Sequence, residues 1–190
     1  MKKVMMMAAV AAAFAATAAM KIGTVNMVDL VRLHPSHESN RTLVKTTDKD
    51  YKTKLDAKQD ELKEIADEGK KLQSDLQNPM LSASARAEAQ KKMEGVQQRF
   101  LANQQEMRQM AARYQSDLSE LESRLLKIET EEIRAKINAY AKKNGYDIIA
   151  DSSMLAFSKD SLDVTDDVLK ALGVDPAKRK EKAKKADEGK

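Results

Sequence analysis

Between Ser36 and Gln77 the apolar residues Tyr51, Leu55, Leu62, Ile65, Leu72 and Leu76 recur at steps of four and three, with Lys58 and Gly69 in the two remaining places of the series. No other feature restricts this chain so tightly. A sustained seven-residue repeat puts its apolar side chains on one stripe of an underwound helix, and only another helix can take that stripe out of water. The break that follows, "QNPMLSASARAE", supplies the means. Pro79 disfavours helix at Asn78 and removes a backbone donor, while Ser82 or Ser84 can cap a new helix. A second helical run is expected from about Ser82 to Lys143, with Met93, Val96, Phe100 and Asn103 on one grid and Met107, Ala111, Tyr114, Leu118, Leu121, Leu125 and Ile128 on another. The join at Asn103–Met107 predicts a stutter that relaxes the supercoil, and the seam shifts again near Ile133, Ile137 and Tyr140. Two long helices joined by a short loop pack antiparallel, so residues 36–143 read as a hairpin arm with its turn near 78–82.

Composition fits a seam and leaves little for a thick core: 42% of residues are hydrophobic but 4% aromatic, 34% are charged, and there is no Cys or Trp. At the start, "MKKVMMMAAVAAAFAATAAM" combines Lys2 and Lys3 with an uncharged apolar run and small residues at Ala16 and Ala18. Residues 1–19 therefore read as a secretory signal peptide cut after Ala18 or Ala19, and the run is too short and Ala-rich for the roughly 18 to 20 residues that span a bilayer. With no Cys to carry a lipid, a soluble exported chain is expected, stabilised by packing or oligomerisation and without disulfides.

The hairpin returns the chain to its origin, which brings "KIGTVNM" and "YDIIADSSMLAF" together despite their separation in sequence. Both have β character, with a partly buried strand expected at Tyr146–Asp151 and another at Leu155–Phe157. Gly145 reads as a left-handed cap ending the second long helix. "DVTDDVLKALG" reads as a short helix with Thr165 as N-cap, acids in its first turn and Gly173 at its stop. Residues 20–35 and 144–173 thus form a discontinuous body, and Pro35 breaks the chain where body meets arm. Such a body encloses little apolar surface alone, which points to oligomerisation. The tail 174–190 lacks apolar periodicity and is expected to be disordered.

The terminal blocks "KIGTVNMVDL" and "NGYDIIADSSMLAFSKDSLDVTDDVLKAL", flanking a charged hairpin after a signal peptide, resemble the Skp/OmpH family of periplasmic chaperones. The resemblance covers nearly all of the mature chain as an architecture and implies an α+β fold: a small β-containing trimerisation body carrying long antiparallel helical arms around a cavity. It implies an ATP-independent holdase in the periplasm that keeps unfolded outer-membrane β-barrel proteins from aggregating, with a homotrimer as the working form. On this view Ile22, Val25, Met27, Ile148, Ile149 and Phe157 belong to the trimer body.

Holding such clients calls for many weak, adaptable contacts, and flexible unbranched side chains suit that task. Met80, Leu81, Met93, Met107 and Met110 are the client-binding candidates, with seam packing as the plainer role of Met93 and Met107. The arm tip carries Lys70, Lys71, Arg86, Lys91 and Lys92 against Glu68, Asp75 and Glu88. This excess of two charges can steer acidic clients, anionic lipid or lipopolysaccharide, or be an ordinary solvated surface. The charge of +4 is concentrated in the ends, with Lys2 and Lys3 before the body and a Lys-rich tail after it. The body lacks the basic stripe that nucleic-acid binding needs.

His34 and His37, flanking Pro35, read as a surface junction and not a metal site, since no further ligand pattern accompanies them. Asp160, Asp163, Asp166 and Asp167 lack the Gly and terminal Glu of a calcium loop and read as turn and helix-start chemistry. No nucleophile, base or phosphate-loop arrangement is discernible, so no cofactor and no enzymatic activity are expected. A coiled-coil spacer of the cell envelope is the alternative. It would favour an unbroken apolar stripe, whereas Gly69, Lys58, Asn103 and the stutter favour arms that open.

Overall fold

The structure, a computed structural model, describes residues 20–181. The expected signal peptide lies outside these residues. The elements run β1 (Ile22–Val25), α1 (Met27–Arg32), α2 (His37–Leu76), α3 (Ala83–Asn144), β2 (Ile148–Asp151) and α4 (Thr165–Ala171), with two 3-10 turns between β2 and α4. Among the described residues the fold is mostly helical, with a single two-stranded sheet.

Several helix boundaries have a local cause. Asn26 caps α1 by accepting from the Asp29 amide at 3.0 Å. Leu33–Ser36, with Pro35 inside it, separates α1 from α2. At the tip, the Asn78 side chain accepts from the Met80 amide at 3.0 Å, and Ser82 Oγ accepts from the Ala85 amide at 3.3 Å to start α3. α3 ends at Gly145, whose φ of 68° is the left-handed conformation expected there.

α2 and α3 lie antiparallel. Their cross-helix partners run Asn40 with Glu129, Tyr51 with Tyr114, Lys58 with Glu106 and Glu68 with Arg99, one number rising as the other falls. With 40 residues, α2 spans roughly 60 Å at about 1.5 Å per residue. α3 continues past Glu129, opposite the first turn of α2, to Asn144. That surplus carries the chain across the body, which explains why β2 enters beside the start of β1 and pairs with it in parallel. The register is Ile22 with Ile148, Gly23 with Ile149, Thr24 with Ala150 and Val25 with Asp151.

The core gathers Val25, Leu30, Leu33, Ile133, Val164, Val168, Leu169, Leu172 and Val174, with Met27, Ile137, Tyr140 and Ile149 packed against it. Ile133 and Ile137 thus leave the arm seam for the body. Tyr140 ties α3 to α4 through a 3.0 Å hydrogen bond to Asp167. Burial, followed by that bond, raises the Tyr140 pKa, while Lys170 and then Tyr140 hold the Asp167 carboxyl low. At Gly23 an added Cβ would lie 3.0 Å from the Tyr146 ring, so glycine lets β1 approach this ring without displacing it.

Several expectations are corrected. The expected strand at Leu155–Phe157 does not form. Asp151 accepts from the Ser153 amide at 3.0 Å, starting a 3-10 turn at Ser152–Met154, and β1 instead bridges to Asp163 through Thr24. Thr165 is not the N-cap of α4 but its first residue. It is fully buried, and its hydroxyl accepts from the Asn26 amide at 2.8 Å and donates to Asp163. Nor is the tail disordered from 174. Val174 joins the core, and residues 177–181 form a helical turn whose Arg179 donates to Asp29, Asp163 and Asp166 at 2.9, 2.9 and 3.2 Å.

The expected stutter at Asn103–Met107 is absent as well. Met93, Val96, Phe100, Asn103, Met107, Met110 and Tyr114 are all partly or fully buried and follow one another in unbroken steps of three and four. Ala111 is exposed and Met110 holds the seam. Nearer the body the steps lengthen, and Glu129, not Ile128, turns inward, leaving Ile128 53% exposed.

Candidate functional site

The arm's own packing sets its surface. On the seam, Tyr51 and Tyr114 stack at 4.0 Å. Burial, with Asp117 nearby, raises the Tyr51 pKa. Lys58 reaches Glu106 at 2.7 Å and Glu61 at 2.9 Å, and hydrogen bonds to these carboxylates raise its pKa. Asn103 donates to the Arg99 carbonyl, but its buried Oδ1 has no partner. The polar seam positions are therefore neutralised in one case and left unsatisfied in the other.

Gly69 opens a groove. Ile65, Ala66, Gly69, Met93, Val96 and Phe100, with Gln97 and Leu101 at its rim, line an apolar depression of about 380 Å³ on the distal half of the arm. A second groove of about 340 Å³ lies near the root, where Val44, Leu125 and Leu126 sit among His37, Arg41, Lys45, Glu122 and Glu129. Leu43, Leu101, Leu126 and Ile128 are exposed along the same helices.

The sequence candidates divide accordingly. Met93 lines the distal groove, and Met107 and Met110 are half-buried on the seam. Met80, 89% exposed, and half-buried Leu81 stand at the tip. Of the basic tip group, Lys70 pairs with Asp67 and Lys92 with Glu88. These bonds lower the pKa of both carboxylates. Arg86 is spent on the carbonyls of Leu76 and Asn78, closing the turn, while Lys71 and Lys91 are exposed. Sequence reasoning missed Phe100 with Leu101, Leu126 and Ile128 as surface. A seam glycine is the signal that could have located the distal groove.

In the body, Val25, Met27 and Ile149 pack into the chain's own core. Ile22 and its register partner Ile148 are instead exposed side by side, as are Met154, Leu155 and Phe157, the last at 80%. His34 is no surface residue, being 4% exposed. His34 and His37 face Glu132 and Glu129 of α3 across the arm root. Among the described residues no group of three or more His, Cys, Asp or Glu side chains is placed to hold a metal ion, and no helix is long and apolar enough to cross a membrane.

A long two-helix arm rooted in a small body with a two-stranded parallel sheet defines a mostly helical, arm-bearing protein. A family model described as outer membrane protein (OmpH-like) matches residues 21–172, and the chain belongs to that OmpH-like family. The family is one of chaperones, consistent with handling outer-membrane proteins in the periplasm. No curated protein matches the chain.

Proposed function

We propose that this chain is an ATP-independent holdase that shelters unfolded outer-membrane β-barrel proteins in the periplasm, working as a trimer joined through the body. Membership of the OmpH-like family carries this reading. The two shallow apolar grooves and the exposed Leu43, Met80, Leu101, Leu126 and Ile128 support it. A client whose apolar residues alternate along every strand is better held by many separated contacts than by one deep pocket. The exposed Ile22, Ile148, Leu155 and Phe157 form the surface offered to neighbouring copies, because apolar area of this kind on so small a body favours association. The basic tail and tip are candidate contacts for anionic lipid or lipopolysaccharide.

The rival, an envelope spacer, draws support from the unbroken seam between Met93 and Tyr114. One experiment separates the two. A urea-unfolded outer-membrane barrel is diluted with and without the mature chain in the absence of ATP, scattering is followed, and the oligomer's mass is measured by light-scattering chromatography. Suppression near one trimer per client is expected. Unchanged scattering from a folded oligomer would overturn the holdase reading.

A further inference from the structure

The chain has two histidines, His34 and His37, and both stand at the root of the arm on either side of Pro35. His37 Nδ1 lies 3.4 Å from Glu129 Oε2, and Asn40 Nδ2 donates to the other oxygen at 2.8 Å. Glu129 is 3% exposed and sits where the seam would otherwise hold an apolar side chain. His34 Nε2 lies 3.4 Å from Glu132 Oε2, in a geometry that falls short of a hydrogen bond.

The two rings are not equivalent. His34 Nδ1 accepts the Ser36 amide at 3.3 Å, at the residue that precedes α2. A proton added there would set donor against donor and undo the turn that starts the helix. His37 has no such constraint. A carboxylate only accepts, so Nδ1 carries the hydrogen toward Glu129, and the second ring nitrogen is free to gain a proton.

We propose that His37 is a protonation latch for the arm: with both ring nitrogens protonated it places a cation against the buried Glu129 carboxylate and pins the first turns of α2 to α3, and on losing that proton it releases them. Neutral His37 leaves Glu129 with two neutral donors and, among the described residues, no cation within 4 Å, a costly arrangement for a carboxylate out of water. The charged groups around the ring are Glu122, Glu129 and Glu132 on α3, Glu38, Arg41 and Lys45 on α2, Arg32 at the end of α1, and Lys178 and Glu181 on the C-terminal turn. Arg32, Glu38, Lys178 and Glu181 share with His34 and His37 a cleft of about 480 Å³. Arg32, Arg41, Lys45 and Lys178 oppose protonation, and Glu38, Glu122, Glu132 and Glu181 favour it. Glu129 is the closest of them and the most deeply buried, so its contact is the one that a proton on His37 strengthens. The latch is closed toward the acid end of the range of about pH 5 to 8, in which histidine charge changes, and opens as pH rises.

The latch would regulate the arms of the proposed holdase and rests on that reading for its use, but it is tested separately. The mature chain is digested briefly with trypsin across pH 5.5 to 8.5. The readout is the rate of cutting after Arg41 and Lys45 at the root, divided by the rate after Lys71 and Lys91 at the tip, which cancels the protease's own pH response. The ratio is expected to rise several-fold with pH. In His37→Gln and in Glu129→Gln it becomes flat, while His34→Gln keeps the slope. A flat ratio in the unaltered chain, or a slope that survives His37→Gln, overturns the latch. Barrel aggregation is followed at the same pH values. Cleavage that responds while aggregation is never suppressed overturns the holdase and leaves the latch standing; the reverse overturns the latch alone.

Discussion

Gly69→Ala should stiffen the arm, and the structure says by how much. Gly69 is interior to α2 and half-buried on the seam, where an added Cβ would meet Val96 Cγ1 at 3.4 Å, an ordinary van der Waals contact. Replacing glycine inside a helix contributes about 1 kcal/mol. A fully buried methyl adds about 0.8 kcal/mol, of which roughly half applies at this half-buried place. The expected gain is therefore about 1.4 kcal/mol, or roughly tenfold less local opening. Gly95→Ala on α3 is the control. Nothing lies within 4 Å of its added Cβ, so only the helix contribution of about 1 kcal/mol, roughly fivefold, is expected. Native-state amide exchange across residues 62–76 and 93–100 reads both. If Gly69→Ala leaves exchange unchanged or accelerates it while Gly95→Ala slows it, then Val96 cannot accommodate the methyl and the assignment of Gly69 as a weak point of the arm fails. The same substitution fills part of the distal groove, so slower exchange with weaker suppression of barrel aggregation would tie client holding to this region.

Asn103→Leu replaces a buried carbonyl oxygen that lacks a partner with an apolar seam residue, and should raise stability by about 1 to 2 kcal/mol, seen as a higher urea midpoint at unchanged slope. Arg179→Ala should destabilise the body by about 1 to 2 kcal/mol near pH 6. That figure is discounted because Asp166 is 40% exposed and Asp29 keeps Arg32 at 2.6 Å. Burial pushes the Asp163 carboxyl up, but hydrogen bonds from Thr165 and Arg179 outweigh it and hold its pKa low. A depressed carboxyl contributes stability above about pH 4 that is lost as pH falls further, so the gap between Arg179→Ala and the unaltered chain should close in urea titrations toward pH 2.

Periodicity and punctuation made the arm legible. The stripe from Tyr51 to Leu76, Pro79 beyond it and Gly145 at the far end are backbone and burial rules acting over short range. What escaped depends on contacts across the chain. Glu129 reads as a solvent residue until Asn40 and His37 arrive from α2. Arg179 sits in a Lys-rich run with nothing local to distinguish it, and its three carboxylates come from α1, α4 and the connection between β2 and α4. The missing third strand depends on such contacts too: Asp151 starts a 3-10 turn at Ser152–Met154 just before it, and Asp163 takes the place beside Thr24 of β1. In the candidate site, the tip and seam methionines were visible, whereas the grooves follow from how two stripes fail to mesh around Gly69 and near Leu126.

The parallel pairing of Ile22 with Ile148 fixes an order of assembly. α2 and α3 meet through their turn, so the arm can zip as soon as its second half exists. β1 has no partner until β2 has been made. The paired residues lie 126 positions apart, so this pairing must close a long loop, whereas a helix or a hairpin forms from sequence neighbours. The first strand of the body therefore waits on a segment far along the chain, and until β2 joins it this protein carries a bare β-edge of its own.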